Sequence, residues 1–355
     1  MQQETLSLRK NHVIILTSTR CGSSFLGQIF NYKSDVFYLY EPLQPVKSAI
    51  RSPGKDNRHL FGASRDLLRS LLNCDLYKYE DYIYPPPEEH ILNKMYRRGA
   101  SRALCSPPVC NDFKPQEVSF KESDCVETCG KLNMSLAIES CQKKGNVVLK
   151  IVFMPPRIIE LKDLLEDPRL NLKVIQLVRD PRAILSSRLD IRPSLKPYQS
   201  WNMLNKGEKT SNVPDLVECE EFQMSVVLAL SKPYWLRGRY MLLRYEDLTL
   251  NPFKKAQEIY DYVNIQMDDT VLDWIKNNTQ AEIKHTFMNQ YETKRNSSET
   301  VYNWRSKLSF AAVKHLQDKC KHTLQMLGYK QALSQAEIND LSFSLLEELP
   351  FEPFV

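Results

Sequence analysis

The sequence predicts an α/β fold, a single domain over residues 1–355 with a central parallel sheet flanked by helices. Three observations predict it. Val13–Leu16 is an apolar run that ends in a hydroxyl-rich turn, Ser18-Thr-Arg-Cys-Gly-Ser-Ser24, and apolar residues then recur at Phe25, Leu26, Ile29 and Phe30 with helical spacing. Leu172–Val178 repeats the passage, because Asp180-Pro181 places a proline at the first turn of the segment that follows. Val147–Val152 is a third apolar run. Largely apolar runs of this kind, rather than alternating ones, suit strands covered on both faces of a parallel sheet.

Composition sets the outer limits. A hydrophobic content of 42% over 355 residues is ample for one large core. The formal net charge of +5 suits an acidic ligand or acidic polysaccharide. No window approaches the about 18 apolar residues that span a bilayer, and the first residues lack the apolar centre of a signal peptide. Six of the nine cysteines, Cys74, Cys105, Cys110, Cys125, Cys129 and Cys141, crowd into one region, which argues for an oxidising compartment. Zinc held by Cys105-x4-Cys110 and Cys125-x3-Cys129 is the competing reading. The irregular spacing, the lack of an intervening histidine and sequons beginning at Asn133, Asn277 and Asn296 favour disulfides. An odd count leaves a free thiol, for which Cys21 is the candidate.

In chain order, the first turn reads as a phosphate cradle. The amides of a helix's first turn have no internal partners and sit at the positive end of the dipole, so Gly22, Ser23 and Ser24 present donors to an anion. Compared with the nucleoside-triphosphatase loop, this turn lacks the first glycine and the following lysine, and it carries Arg20 ahead of the glycine instead. A cation there sits at the loop entry, facing a group that leaves the terminal phosphate. An ordinary capped helix is the plainer alternative. Asp35–Tyr40 reads as a strand ended by Glu41-Pro42, which puts Glu41 beside the loop after the first strand, as a general base or as a salt-bridged strand end.

Between Ile50 and Gln142 the composition shifts to Ser, Pro, Gly, Arg and Cys, marking a Cys-rich insertion with a helix at Ala63–Asn73 and a proline run at Pro85–Pro87. Lys94, Arg97, Arg98 and Arg102 make a positive segment that meets an acidic polymer or is simply solvated. Lys150 lies inside a buried strand, where an ammonium needs a partner such as a bound phosphate, unless it occupies the strand's exposed end. Arg179, at the end of the Leu172–Val178 strand, can grip a phosphate through two parallel hydrogen bonds, and Ser187 can add a hydroxyl. One sheet edge then carries two anion sites.

The carboxyl half reads as scaffold. Helices at Cys219–Leu230 and Phe253–Val263 surround a strand at Tyr240–Arg244, and Phe310–Leu327 forms one long closing helix whose Cys320 is able to pair with Cys219. Tyr245-Glu246-Asp247 reads as an acidic cap rather than as chemistry. A nucleoside-triphosphate kinase would need a lysine after the loop glycine and an acidic metal-holding strand end, and neither is found.

Several longer stretches resemble the Golgi carbohydrate 6-O-sulfotransferases, the galactose, N-acetylglucosamine and N-acetylgalactosamine enzymes, with the keratan sulfate galactose branch most similar. They are Ser18-Thr-Arg-Cys-Gly-Ser-Ser24, Asp35-Val-Phe-Tyr-Leu-Tyr-Glu-Pro-Leu43, Gly62-Ala-Ser-Arg-Asp-Leu-Leu-Arg-Ser70, Arg98-Gly-Ala-Ser-Arg102, Asp167–Arg182, Leu243-Arg-Tyr-Glu-Asp-Leu248, Arg295-Asn-Ser-Ser298 and Trp304-Arg305. The resemblance implies a P-loop-like sulfotransferase domain using 3′-phosphoadenosine 5′-phosphosulfate (PAPS) as co-substrate. It places the 5′-phosphosulfate against Ser18, Thr19, Arg20, Cys21, Gly22, Ser23 and Ser24. It places the 3′-phosphate at Arg179 and Ser187, with Asp180, Pro181, Arg182, Ala183, Ile184, Leu185 and Ser186 between them, and has Trp304 and Arg305 close over the nucleotide. Arg20 and Lys150 would stabilise charge on the leaving oxygen, Glu41 would take the hydroxyl proton, and no metal is required.

The resemblance further implies a glycan acceptor, keratan sulfate or a related glycosaminoglycan, and no nucleic acid; a chondroitin or N-acetylglucosamine acceptor and a non-catalytic glycan-binding relative are the alternatives. It implies a catalytic domain in the Golgi lumen, tied to the membrane only through an amino-terminal anchor that this sequence does not contain, and it assigns no oligomeric state. Two positions depart from the pattern: Gln44-Pro45 replaces an aromatic and a histidine, and Phe153 replaces an arginine after Lys150. Both fall on the acceptor side, so acceptor choice and activity are less closely implied than donor binding.

Overall fold

The computed structural model describes residues 10–46, 57–82, 97–115, 121–152, 157–191, 217–279 and 297–354. The proline run at Pro85–Pro87, Lys94, Phe153 and the Asn296 end of the third sequon lie outside them. Five strands, β1 (Asn11–Thr17), β2 (Val36–Tyr40), β3 (Asn146–Ile151), β4 (Asn171–Val178) and β5 (Tyr240–Arg244), form one sheet in the order β2-β3-β1-β4-β5. Every neighbouring pair is parallel. Val13 to Leu16, Val147 to Leu149 and Val174 to Val178 are buried throughout, which is why these strands read as largely apolar runs.

Topology fixes where a ligand belongs. The chain leaves β1 through helix α1 (Ser23–Asn31) toward β2 on one side, and leaves β4 through helix α2 (Pro181–Ile191) toward β5 on the other. The crevice at the carboxyl ends of β1 and β4 is therefore the point where the winding reverses, the usual ligand position in an open α/β sheet. Register brings the relevant ends level, with Thr17 beside Leu177 and Tyr40 beside Lys150.

The insertion is covalently tied. Cys74–Cys141, Cys105–Cys125 and Cys110–Cys129 pair within it, Cys219 pairs with Cys320, and Cys21 is free and buried. Disulfides therefore claim the four sulfurs of the competing zinc reading. Each closure stabilises the fold by about 2–4 kcal/mol through restriction of the unfolded chain. The buried guanidinium of Arg98 adds bonds to the carbonyls of Leu104 (3.0 Å) and Gly130 (2.8 Å), fastening the insertion to itself.

Three expectations are corrected. Phe310–Leu327 is two helices, Phe310–Lys319 and Lys321–Met326, because Cys320 leaves helical geometry (φ −99°, ψ 16°) where it is bridged to Cys219. The helix placed at Ala63–Asn73 begins at Asn57 and ends at Leu72. Glu41 does not flank β1 directly: β3 lies between β1 and β2, since Val36–Tyr40 pairs along β3.

Candidate active site

The β1–α1 turn is held in a strained shape. Arg20 (φ 72°) and Gly22 (φ 86°) are both left-handed, and a Cβ on Gly22 would lie 2.1 Å from the Tyr245 ring, so glycine is required by conformation and by space. The first bonds into α1 are donated by Phe25 and Leu26 to the Gly22 carbonyl. The helix thus does not use the amides of Ser23 and Ser24, and an anion can. Behind the turn, the Arg188 guanidinium donates to the Thr19 carbonyl (3.0 Å) and to the Ser18 hydroxyl (3.1 Å), and pairs with Glu218 at 2.8 Å. Ser18 also meets the Cys21 sulfur at 3.3 Å. Burial pushes the Cys21 thiol up, so the residue is a packed neutral group rather than a nucleophile.

The β4–α2 turn faces the first turn and touches it. The Arg179 guanidinium donates to the Arg20 carbonyl and to the Thr300 carbonyl, both at 3.0 Å, and lies 4.6 Å from the centre of the Tyr245 ring. Tyr245 is sandwiched between Gly22 and Arg179, and its hydroxyl meets that of Thr300 at 2.9 Å. From the other direction, Arg20 Nε donates to Ser187 Oγ at 2.9 Å. The two turns expected to hold two anions are therefore laced together side by side.

Glu41 and Lys150 close the third side. Lys150, almost fully buried, donates to Glu41 Oε1 at 2.9 Å and stacks 3.6 Å from the centre of the Tyr40 ring. The partner that the sequence demanded for this ammonium is thus Glu41, one strand away. Burial works to raise the Glu41 carboxyl, but the Lys150 ammonium outweighs it and holds the group below its ordinary value. Burial pushes Lys150 down to about 8 despite Glu41. At neutral pH the pair is a carboxylate and an ammonium.

One cleft of about 330 Å³ joins these parts. Thr19, Arg20, Gly22, Ser23 and Ser24 line one end, Arg179, Ala183, Ser186, Ser187 and Trp304 another, and Glu41, Lys150 and Arg97 a third. Other expected contacts are turned away from it. Arg182 is buried in a bidentate pair with Asp180 and donates to Gln317 and to the Lys330 carbonyl, so it braces the turn from beneath. Arg305 donates to the carbonyls of Ile338, Glu337, Asp340 and Phe343 and anchors the carboxyl-terminal segment instead of a nucleotide. Ser18, Cys21, Asp180, Pro181, Ile184 and Leu185 do not reach the cleft wall; they shape the turns from inside.

Three residues were given no part in the site by the sequence: Tyr245 and Thr300 lie between the two turns, and Arg188 clamps the first turn. Arg97, read only as one of a positive segment, comes to the cleft from the insertion. Tyr245 carried a signal, since it directly follows a strand parallel to and beside the Arg179 strand. Of its acidic neighbours, Asp247 pairs with Arg244 at 2.8 Å, and Glu246 accepts from the Asp180 amide (3.0 Å) and the Tyr329 hydroxyl (2.8 Å), as structural groups do.

Two strand-to-helix turns laced together at a winding reversal, the first with Arg20 ahead of its glycine and no lysine after it, describe the site. The sulfotransferase domain family model matches residues 10–328, and the chain belongs to that family. Within it, the chain is 47% identical to zebrafish (Danio rerio) carbohydrate sulfotransferase 1 over 98% of its own length and 85% of the relative's. Against human carbohydrate sulfotransferase 3 it is 41% identical over 96% of this chain and 71% of the relative. Among solved structures it is similar to the sulfotransferase domain of the Synechococcus PCC 7002 olefin synthase (15% identity, 92% of this chain and 98% of that chain, TM-score 0.44). A mouse sulfotransferase complexed with PAP is another (9% identity, 90% and 84% covered, TM-score 0.40).

Proposed function

We propose that the protein is a carbohydrate sulfotransferase that moves a sulfuryl group from PAPS to the 6-hydroxyl of galactose in a keratan-sulfate-type glycan. The observation that carries this reading is the lacing of the Arg20 and Arg179 turns across one cleft that also holds the Glu41–Lys150 pair. A donor with phosphate groups at both ends of one nucleotide fits two such grips. Arg179 Nε is buried with no partner among the described residues, which suits an anion arriving there.

In this reading the amides of Gly22, Ser23 and Ser24 hold the 5′-phosphosulfate, and Arg179 with Ser187 holds the 3′-phosphate. The sugar oxygen attacks sulfur in line, Glu41 takes the hydroxyl proton, and the S–O bond to the 5′-phosphate breaks. Its electron pair stays on the bridging oxygen, and adenosine 3′,5′-bisphosphate leaves. Arg20 and Lys150 face that growing charge, so they stabilise the transition state more than the ground state. The disulfides and the exposed asparagines of two sequons, Asn133 and Asn277, support a lumenal, Golgi setting. No helix among the described residues is long and apolar enough to cross a membrane.

The assay is incubation with labelled PAPS and keratan, chondroitin and N-acetylglucosamine-terminated acceptors, followed by mapping of the sulfated carbon. Label on galactose C6 of the keratan acceptor supports the reading, and label confined to another sugar or carbon overturns the acceptor assignment.

A pH profile tests Lys150. Its ammonium is lost as pH rises through about 8 in the free protein, so kcat/KM should fall above that value with the slope of one proton. Stability should move the opposite way. Between about 8 and the free-lysine value the unfolded chain binds more protons than the folded one, so stability rises with pH there, and the burial penalty is felt in full below it. A kcat/KM profile flat to pH 10 would remove Lys150 from the chemistry.

A further inference from the structure

The cleft carries a cation that the reaction just described does not use. Arg97 belongs to the disulfide-tied insertion, not to the sheet, yet it lines the cleft together with Glu41, Lys150 and Tyr40. Its backbone is left-handed (φ 42°), immediately before Arg98, whose buried guanidinium is bonded to the carbonyls of Leu104 and Gly130. Cys105–Cys125 and Cys110–Cys129 lock the same segment. Its position is therefore set by a rigid support.

The surroundings are those of a reader of anions. The Arg97 guanidinium lies 4.5 Å from the centre of the Tyr40 ring, the ring that also carries Lys150 at 3.6 Å, so two cations share one aromatic platform. Glu41 neutralises Lys150, and Glu122 meets Arg97 through a fork of two bonds at 2.9 and 3.2 Å. Glu122 sits at the surface, with its side chain 41% exposed against 33% for Arg97, so a carboxylate in water already occupies the place that a ligand's anion would take. A half-exposed pair of this kind contributes little stability, so giving up Glu122 for a ligand's anion costs little. The donor, in the reading above, engages Arg20 and Arg179 and leaves Arg97 to another ligand.

We propose that Arg97 is a specificity-determining residue, binding an anionic substituent, a sulfate ester or a carboxylate, on a sugar next to the one being sulfated. The arginine fork matches either group in two parallel hydrogen bonds, and Glu122 is the carboxylate it exchanges. A growing acidic polysaccharide supplies such a group on each side of the reacting sugar. The inference rests on the sulfotransfer reading above.

The test compares the wild type with Arg97→Gln and Arg97→Lys on three matched oligosaccharides: neutral, bearing a neighbouring sulfate, and bearing a neighbouring carboxylate. Glutamine keeps the bulk and adds no backbone strain at a left-handed position. The ratio of kcat/KM for an anionic over the neutral acceptor should fall about tenfold in Arg97→Gln, which replaces the charged two-bond fork with one neutral N–H bond, and recover in part in Arg97→Lys. Which anionic acceptor loses its advantage tells sulfate from carboxylate. An equal fall on all three acceptors marks a merely structural residue and overturns the inference, as does an unchanged ratio. A wild type that transfers sulfate to none of them overturns the sulfotransfer reading, and this inference with it.

Discussion

Replacing Arg20 with alanine is expected to lower kcat for sulfate transfer by about 10²–10³-fold, the cost of removing one fixed charge from a growing oxyanion. The fold should survive, because the left-handed backbone at Arg20 is held by neighbours: Arg188 on Thr19, Arg179 on the Arg20 carbonyl, and Gly22 against Tyr245. The guanidinium itself makes a bond to Ser187, which is proposed to meet the 3′-phosphate, so some rise in donor KM should accompany the fall in kcat. The larger effect should still be on kcat, since charge on the bridging oxygen appears only as the S–O bond breaks. Single-turnover rates with bound donor, beside a thermal unfolding curve, separate these contributions. A variant that unfolds like the wild type and turns over at its rate would remove Arg20 from the chemistry.

Arg179→Ala should act on the other quantity. Two charge-assisted bonds to the 3′-phosphate disappear, and donor KM should rise about 10²-fold or more. The same side chain closes the Arg20 carbonyl, the Thr300 carbonyl and the face of Tyr245, so alanine also loosens the first turn. Arg179→Lys serves as the control: charge without the fork should recover only part of the affinity. Ser187→Ala, which removes one hydroxyl, should cost donor binding about tenfold or less. Donor KM unchanged in both Arg179 variants would mean that the second turn binds nothing.

Most of the sheet could be read from the sequence, because strands covered on both faces leave continuous apolar runs that polar flanks interrupt. The two turns were legible for the same reason: each starts where such a run stops and a helical pattern begins. The partner of Lys150 was not. An ammonium in a buried strand announces that it needs a carboxylate, yet only the pairing of β2 along β3 shows that Glu41 supplies it. Arg182 and Arg305 misled because a cation beside an anion-binding turn looks the same in sequence whether it faces the ligand or the interior. Here they satisfy Asp180 and four backbone carbonyls. Tyr245 and Thr300 were hidden because their role is tertiary, as filler between two turns distant in the chain. Arg97 was visible only as one of several basic residues, and its place beside Tyr40 depends on how the disulfides fold the insertion back.

The most direct measurement is a structure of the protein with adenosine 3′,5′-bisphosphate. A single nucleotide should span the cleft, its 5′-phosphate on the amides of Gly22, Ser23 and Ser24 and its 3′-phosphate on Arg179 and Ser187. A nucleotide bound elsewhere, or held at one turn while its other phosphate lies in solvent, would contradict the account.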